Sequence, residues 1–471
     1  MNSKADLRNL PSVEKIIEDE RVSRHVNPLS RNGVTRIVRE VIDEFRKRLI
    51  ENKIEEYGKE ETTEMIASDT AAKLEEIDGQ MQRSVINATG VVLHTNLGRS
   101  IMGEDVCLGI QKAASGYVDL EMDLYSGERV KRDRRIRRLL TLLTGAEDAL
   151  VVNNNAAAVF LAVQTIAGDG AVAVSRGELV EIGGSFRLPE ILGRAAGRVI
   201  EVGTTNRTHL SDYERAVDEG ASLILKVNTS NYHIMGFTNE VMLKSLVDLG
   251  RRKGVPVMYD QGSGILHPIE FEGSRGEECA DRILEIGVDL LSFSADKMLG
   301  APQGGIILGS SDIVGTIRDN QISRVLRVGK LTLAGLERTL RRYWRGELNH
   351  LPALNMITMD VDTIRARAER LLGVIEIADD SGVGAGIVEG ESSIGGGSYP
   401  INPLRTALVE ITLPPGKAMK LSRRLRTGEP AVLVRVKGDS LYMDLRTVLE
   451  EEETVLRERL EESIRSTIVG E

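Results

Sequence analysis

The chain has 471 residues, 41% hydrophobic and 28% charged, with a formal net charge of −10. That is the make-up of a globular protein of about three domains. It excludes a membrane helix, which needs roughly 20 apolar residues in a row; even the richest stretch, Ala156 to Val174, is cut by Gln164, Gly168 and Asp169.

Cys107 and Cys279 stand apart from each other and from any Cys/His cluster, so neither a disulfide framework nor a zinc site is expected. The start, MNSKADLRNLPSVEK, lacks the apolar core of a signal peptide, so the cytoplasm is the expected compartment. The acidic balance argues mildly against nucleic acid as a partner and gives no reason to expect DNA. Exposed charges more than about 10 Å apart are screened at physiological salt, however, so a local basic patch outweighs the global sum.

Residues 1–80 read as a helical module. Ser12 can cap a short helix with Val13, Ile16 and Ile17 on one face. Val34, Ile37, Val38, Val41, Ile42, Phe45 and Leu49 then follow helical spacing after a cap at Ser30 to Gly33. Arg21, Arg24, Arg31, Arg36, Arg39, Arg46, Lys47 and Arg48 face only three acids over the same span. Such a run suits a solvated helix face or a contact surface for an RNA backbone. A third helix is expected near Glu61 to Ile77, with Glu55-Glu56 and Glu60-Glu61 marking a loop.

From about residue 84, short β-rich apolar runs alternate with helical stretches. The expected strands are Ala149–Val152, Ala171–Val174, Val199–Val202, Leu223–Val227, Val255–Tyr259, Val288–Phe293 and Gly305–Leu308. That alternation predicts an α/β fold with a mostly parallel sheet covered on both faces, binding its ligand outside the carboxyl ends of the strands.

Three polar clusters follow such strand ends. Asn153-Asn154-Asn155 opens a helix whose free N–H groups and dipole suit a phosphate. Asp260, after Tyr259, can hold a pyridine nitrogen protonated. Lys297, three residues after the hydroxyl of Ser294, offers an amine to an aldehyde, and Ser294 offers a phosphate donor. Together they match what pyridoxal 5'-phosphate (PLP) requires. Asn228, Ser230 or Asn231 could reach its phenolic oxygen, and Arg176 could stack on its ring, where no aromatic or His is available.

The sequence also resembles a known family. Leu93-His-Thr-Asn-Leu-Gly-Arg99, Val152-Asn-Asn-Asn-Ala-Ala-Ala-Val159, Val174 to Gly184, Glu201 to Thr208, Ser292-Phe-Ser-Ala-Asp-Lys297 and Arg324-Val-Leu-Arg327 are similar to stretches of the bacterial selenocysteine synthases, the L-seryl-tRNA(Sec) selenium transferases. The resemblance implies the fold type I architecture of PLP-dependent transferases and a homo-oligomer built from dimers. It implies conversion of seryl-tRNA(Sec) to selenocysteinyl-tRNA(Sec), with loss of water to dehydroalanyl-tRNA and then addition of selenium from selenophosphate.

Within that reading Lys297 is the base for the α-proton, and Lys297 or Asp296 the acid for the departing hydroxyl. Arg99, Arg324 and Arg327 are expected to hold the selenium donor, the last two on one helix face if that segment is helical. The N-terminal module, starting Leu7-Arg-Asn-Leu-Pro-Ser-Val13, favours the tRNA substrate over a small amino acid or amino sugar, and the alternative from another class is a non-catalytic RNA-binding oligomeric scaffold.

The expected domains are 1–80, 81–330 and a smaller C-terminal α/β domain, 331–471. The last has a helix over Leu331–Trp344, strands at Thr406–Thr412, Ala431–Val436 and Ser440–Asp444, and a closing helix from Glu450. Gly395-Gly-Gly-Ser398 reads as a mobile loop.

Overall fold

The computed structural model describes residues 7–51, 57–79, 82–182, 186–229, 231–269, 277–378, 381–395 and 403–469. It divides into two compact units, Met1–Ser84 and Val85–Glu471. Among the described residues no helix is long and apolar enough to cross a membrane, and no group of His, Cys, Asp and Glu could hold a metal ion.

In the first unit, Ser12 caps the helix Val13–Ile17 by accepting the N–H of Lys15. Ser30 caps Arg31–Ile50 by accepting from Gly33. The stripe Val34, Val38, Val41, Ile42, Phe45 and Leu49 is buried there, and packs with Ile66, Ala67 and Leu74 of the helix Lys59–Gly79. Glu60 and Glu61 lie in the first turn of that helix rather than in a loop, where its positive dipole end favours acids. Glu55-Glu56 fall outside the described residues.

Several of the arginines have partners inside the unit. Arg21 pairs with Asp19 and Glu64, Arg24 with Glu75, and Arg46 with Asp43. Arg36, Arg39, Lys47 and Arg48 are exposed, with no ion-pair partner among the described residues.

The strands of the second unit, in chain order, are β1 (Val85–Asn87), β2 (Asp148–Val152), β3 (Ala171–Ser175), the two-residue pair β4 (Glu181–Ile182) and β5 (Phe186–Arg187), β6 (Arg198–Val202), β7 (Ala221–Val227), β8 (Val257–Gly262), β9 (Leu290–Ser294), β10 (Gly305–Gly309), β11 (Gly384–Ser392), β12 (Leu404–Thr412), β13 (Ala431–Leu433), β14 (Arg435–Lys437) and β15 (Ser440–Asp444). The central sheet has the order β2-β10-β9-β8-β7-β3-β6, and within it only β10 runs antiparallel to its neighbours. Strands β2, β3, β9 and β10 are buried along their whole length, as a sheet covered on both faces requires.

The C-terminal part differs in detail from the sequence expectation. Residues 431–436 do not form one strand. Ala431–Leu433 pairs in parallel with β1, whereas Arg435–Lys437 joins the antiparallel sheet β11-β12-β15-β14. The long β11, GAGIVEGES, was not expected. Three glycines hide its alternation, and at one, Gly390, a Cβ would push the Leu408 side chain of β12 aside. The closing helix runs Glu453–Val469, preceded by a short 3-10 turn at Glu450–Glu452. Of the glycine-rich loop, residues 396–398 lie outside the described residues.

Candidate active site

The carboxyl ends of the parallel strands converge on one edge. Asp260 sits inside β8, at a bulge opposite Ser292 of β9. One of its oxygens accepts from Asn155 Nδ2 at 2.8 Å and Ser292 Oγ at 3.0 Å. Burial pushes this acid above the usual carboxylate range, against the opposing pull of Asn155, Ser292, Lys297 and the Gly262 N–H. A buried acid so placed is completed by a cationic N–H, which a protonated pyridine supplies.

Lys297 lies in the buried turn between β9 and β10 and is 3% exposed. The turn is closed by the Ala295 N–H on Gly304 O, the Gly300 N–H on Lys297 O and the Met298 N–H on Ser263 O. Burial lowers the basicity of the amine, and so does the positive charge of Arg99. Asp260, Asp296 and Glu277 act in the other sense. Lys297 Nζ donates no hydrogen bond among the described residues, so the amine is open to a ligand. It lies within electrostatic reach of Asp260.

The helix Asn155–Ile166 starts at the same edge. Asn154 caps it by accepting the Ala157 N–H at 2.8 Å. Gly305 must be a glycine because a Cβ there would overlap Asn154 O. Asn155 turns its amide N–H to Asp260 and leaves its Oδ1 buried without a partner. An unpartnered buried acceptor, an open amine, a buried acid and a capped helix start together fit PLP, so the residues present are compatible with that cofactor. Ser294 Oγ, on the last residue of β9, is buried at this edge.

The remaining expected residues are placed differently. Arg99 adopts a left-handed backbone (φ 66°) and pairs with Asp296 at 2.7 Å, while the Ser100 N–H bonds Asp296 O. Asp296 is therefore an acceptor in an ion pair, which does not suit the role of acid for the hydroxyl. Arg324 ends the helix Gln321–Val325, but Arg327 lies past it, bridged to Val152, so the two do not share a helix face. They line one open cavity of about 540 Å³ with Arg129, Lys131, Arg132 and Arg318. Arg327 stands 3.7 Å from Glu121.

Arg176 is turned to Glu201 and to Gly203 O, and the structure does not bring it to the others. Asn231 is exposed and donates to Glu181 O, whereas Asn228 donates to Gln261 O and Glu277. Ser230 lies outside the described residues.

Glu277 was not expected. Its carboxylate accepts from Ser263 Oγ at 2.9 Å and from Asn228 Nδ2. Burial pushes it up to about 7, opposed by Ser263 and Lys297. Its only sequence signal is an acid pair ahead of a helix, which usually marks a helix start.

Residues 85–449 match the family model described as L-seryl-tRNA selenium transferase, and residues 7–46 match that of the selenocysteine synthase N terminal. The chain is 39% identical over 470 residues to the L-seryl-tRNA(Sec) selenium transferase of Alkaliphilus oremlandii, covering 99% of this chain and 100% of that one. It is 41% identical over 477 residues to its namesake from Moorella thermoacetica, covering 100% and 99%. A solved structure of D-glucosaminate-6-phosphate ammonia-lyase shares the fold, at TM-score 0.59 and 22% identity over 84% of this chain and 98% of that chain.

Proposed function

This chain belongs to the L-seryl-tRNA selenium transferase family, and on that premise we propose that it converts seryl-tRNA(Sec) to selenocysteinyl-tRNA(Sec) with selenophosphate as the selenium donor, in the cytoplasm. Its fold is type I of the PLP-dependent transferases and its cofactor is pyridoxal 5'-phosphate. The observation that carries the site assignment is the pairing of a buried, open lysine amine with a buried aspartic acid within its electrostatic reach, at one sheet edge.

When bound, the cofactor supplies an electron sink for the negative charge that develops at the serine α-carbon. Asp260 would hold the ring N–H, itself oriented by Asn155 and Ser292. The helix start at Asn154, with Ser294, would hold the phosphate. Lys297 removes the α-proton. Burial and the charge of Arg99 keep more of its amine neutral than in a solvated lysine, as a base near pH 7 requires.

Arg324 and Arg327 hold the selenophosphate oxygens in the cavity that they line with Leu150 and Val151. Arg99, whose guanidinium is engaged by Asp296, contributes positive charge toward the donor and the amine. The first unit contacts the tRNA backbone through Arg36, Arg39, Lys47 and Arg48.

The chain acts as a homo-oligomer of dimers. Tyr117, Met122, Leu124 and Tyr125 support this, because they stand exposed on a segment held down by the Arg132–Glu121, Arg134–Asp123 and Arg135–Asp119 pairs.

Lys297→Ala tests the reading. Wild-type protein should be yellow and turn over charged tRNA. The variant should lose the visible band and at least about 10³-fold in rate. A colourless wild type, or a variant with undiminished turnover, would refute the assignment.

A further inference from the structure

Elimination from serine needs two proton movements, one from the α-carbon and one onto the hydroxyl, because hydroxide is a poor leaving group. Lys297 can accept the first. Asp296, the neighbouring acid, has its carboxylate engaged by the Arg99 guanidinium.

Asp260 is taken up by Asn155, Ser292 and the ring nitrogen; the remaining carboxyl within electrostatic reach of Lys297 is Glu277. It is fixed from two strand ends. Asn228, the residue after β7, donates to it, and so does Ser263, the residue after β8. Both donors also touch the catalytic frame: the Asn228 N–H bonds Asp260 O, and Ser263 O accepts the N–H of Met298, next to the lysine. Among the described residues, Lys297, Tyr259 and Cys279 are ionisable groups within electrostatic reach of Glu277. Burial makes the Lys297 amine less basic, whereas it holds the protons of Tyr259 and Cys279 in place.

We propose that Glu277 is the acid that protonates the departing serine hydroxyl. This inference rests on the transferase reading above. The α-proton passes to the Lys297 amine while the electron pair it leaves becomes the new Cα–Cβ double bond. The Cβ–O bond breaks, its electron pair stays on oxygen, and the Glu277 proton completes a water molecule. The Lys297 ammonium then returns a proton to the Glu277 carboxylate, so both groups end the half-reaction as they began.

Burial is what makes the role available. It keeps the carboxyl protonated up to about pH 7, where a solvated glutamate has long been ionised. The rate of water loss should therefore fall as pH rises through the neutral range, as Glu277 gives up its proton.

Glu277→Gln keeps an acceptor for Ser263 and Asn228 but has no acidic proton. With purified, cofactor-loaded protein and seryl-tRNA(Sec), and without any selenium donor, single-turnover formation of dehydroalanyl-tRNA should slow by about 10²–10⁴-fold at pH 7. The fall in rate above neutral pH should disappear, while the visible band and tRNA binding stay as in wild type. Independently of turnover, cofactor-free wild-type protein should show an infrared carboxyl band that titrates near pH 7 and is missing in the variant.

Ser263→Ala covers the case in which Glu277→Gln does not fold. It removes the donor that lowers Glu277, so the fall in rate should move to higher pH. A dehydration rate within threefold of wild type in Glu277→Gln, or a pH profile unmoved by Ser263→Ala, overturns the proposal. A wild-type protein that never consumes seryl-tRNA(Sec) overturns the transferase reading instead.

Discussion

Arg324 and Arg327 face a task that Lys297 does not share, since the base acts in water loss whereas the selenium donor enters afterwards. Arg324→Ala and Arg327→Ala should each slow selenium addition by about 10–100-fold, the worth of one hydrogen bond to a charged group. Dehydroalanyl-tRNA formation should stay within a few-fold of wild type. Separate assays of the two half-reactions check this, and equal losses in both would remove the arginines from the donor site. At this scale, Lys297 and Asp260 stood out in the sequence only by coinciding with a helix start at one sheet edge and by the family's motifs, since each alone reads as an ordinary turn residue. What the side chains touch was not legible. Asn155 turns to Asp260 and Arg176 to Glu201 because of partners far away in sequence. Glu277 showed in the sequence only as one of an acid pair ahead of a helix, since only the folded chain brings Ser263 and Asn228 around it.

Among the elements, the hydrophobic runs of the central sheet and the amphipathic helix Arg31–Ile50 were readable because burial dictates their periods directly. The C-terminal sheet was less readable because its order depends on a polar knot. Asp444, fully buried, accepts from Ser392 Oγ at 2.6 Å, Thr406 Oγ1 at 2.9 Å and Arg435 Nη2 at 3.0 Å. Gly90 presses against this knot with φ 72°, and a Cβ there would overlap Asp444 and Arg435. Gly90→Ala should therefore destabilise the protein by about 3–5 kcal/mol, combining a left-handed alanine with a disturbed buried ion pair. Denaturant unfolding measures this, and a loss under about 1 kcal/mol would mean that the knot can shift aside.

For the molecule as a whole, the charge of −10 hides a division of labour, since the N-terminal unit keeps unpaired cations on one helix. Reversing two of them, Arg36→Glu with Arg39→Glu, should weaken tRNA binding at least tenfold and reduce the slope of log affinity against log salt by about 2. Filter binding over a salt series checks both. An unchanged slope would return those residues to the role of a solvated face.

The parallel pairing of Val85–Asn87 with Ala431–Leu433 joins segments far apart in the chain, one made well before the other. The stretch running from that pairing to Arg99 gains its second anchor at Thr447, whose hydroxyl accepts the Gly90 N–H and donates to Asn87 O. A ribosome that has completed every residue up to Gly309 has thus produced Lys297, Asp260 and the Asp296 that pairs with Arg99, yet has not made the later anchors of the stretch leading to that arginine. Until Ala431–Leu433 and Thr447 have been made, the nascent polypeptide holds the reactive amine without the full support of the arginine beside it.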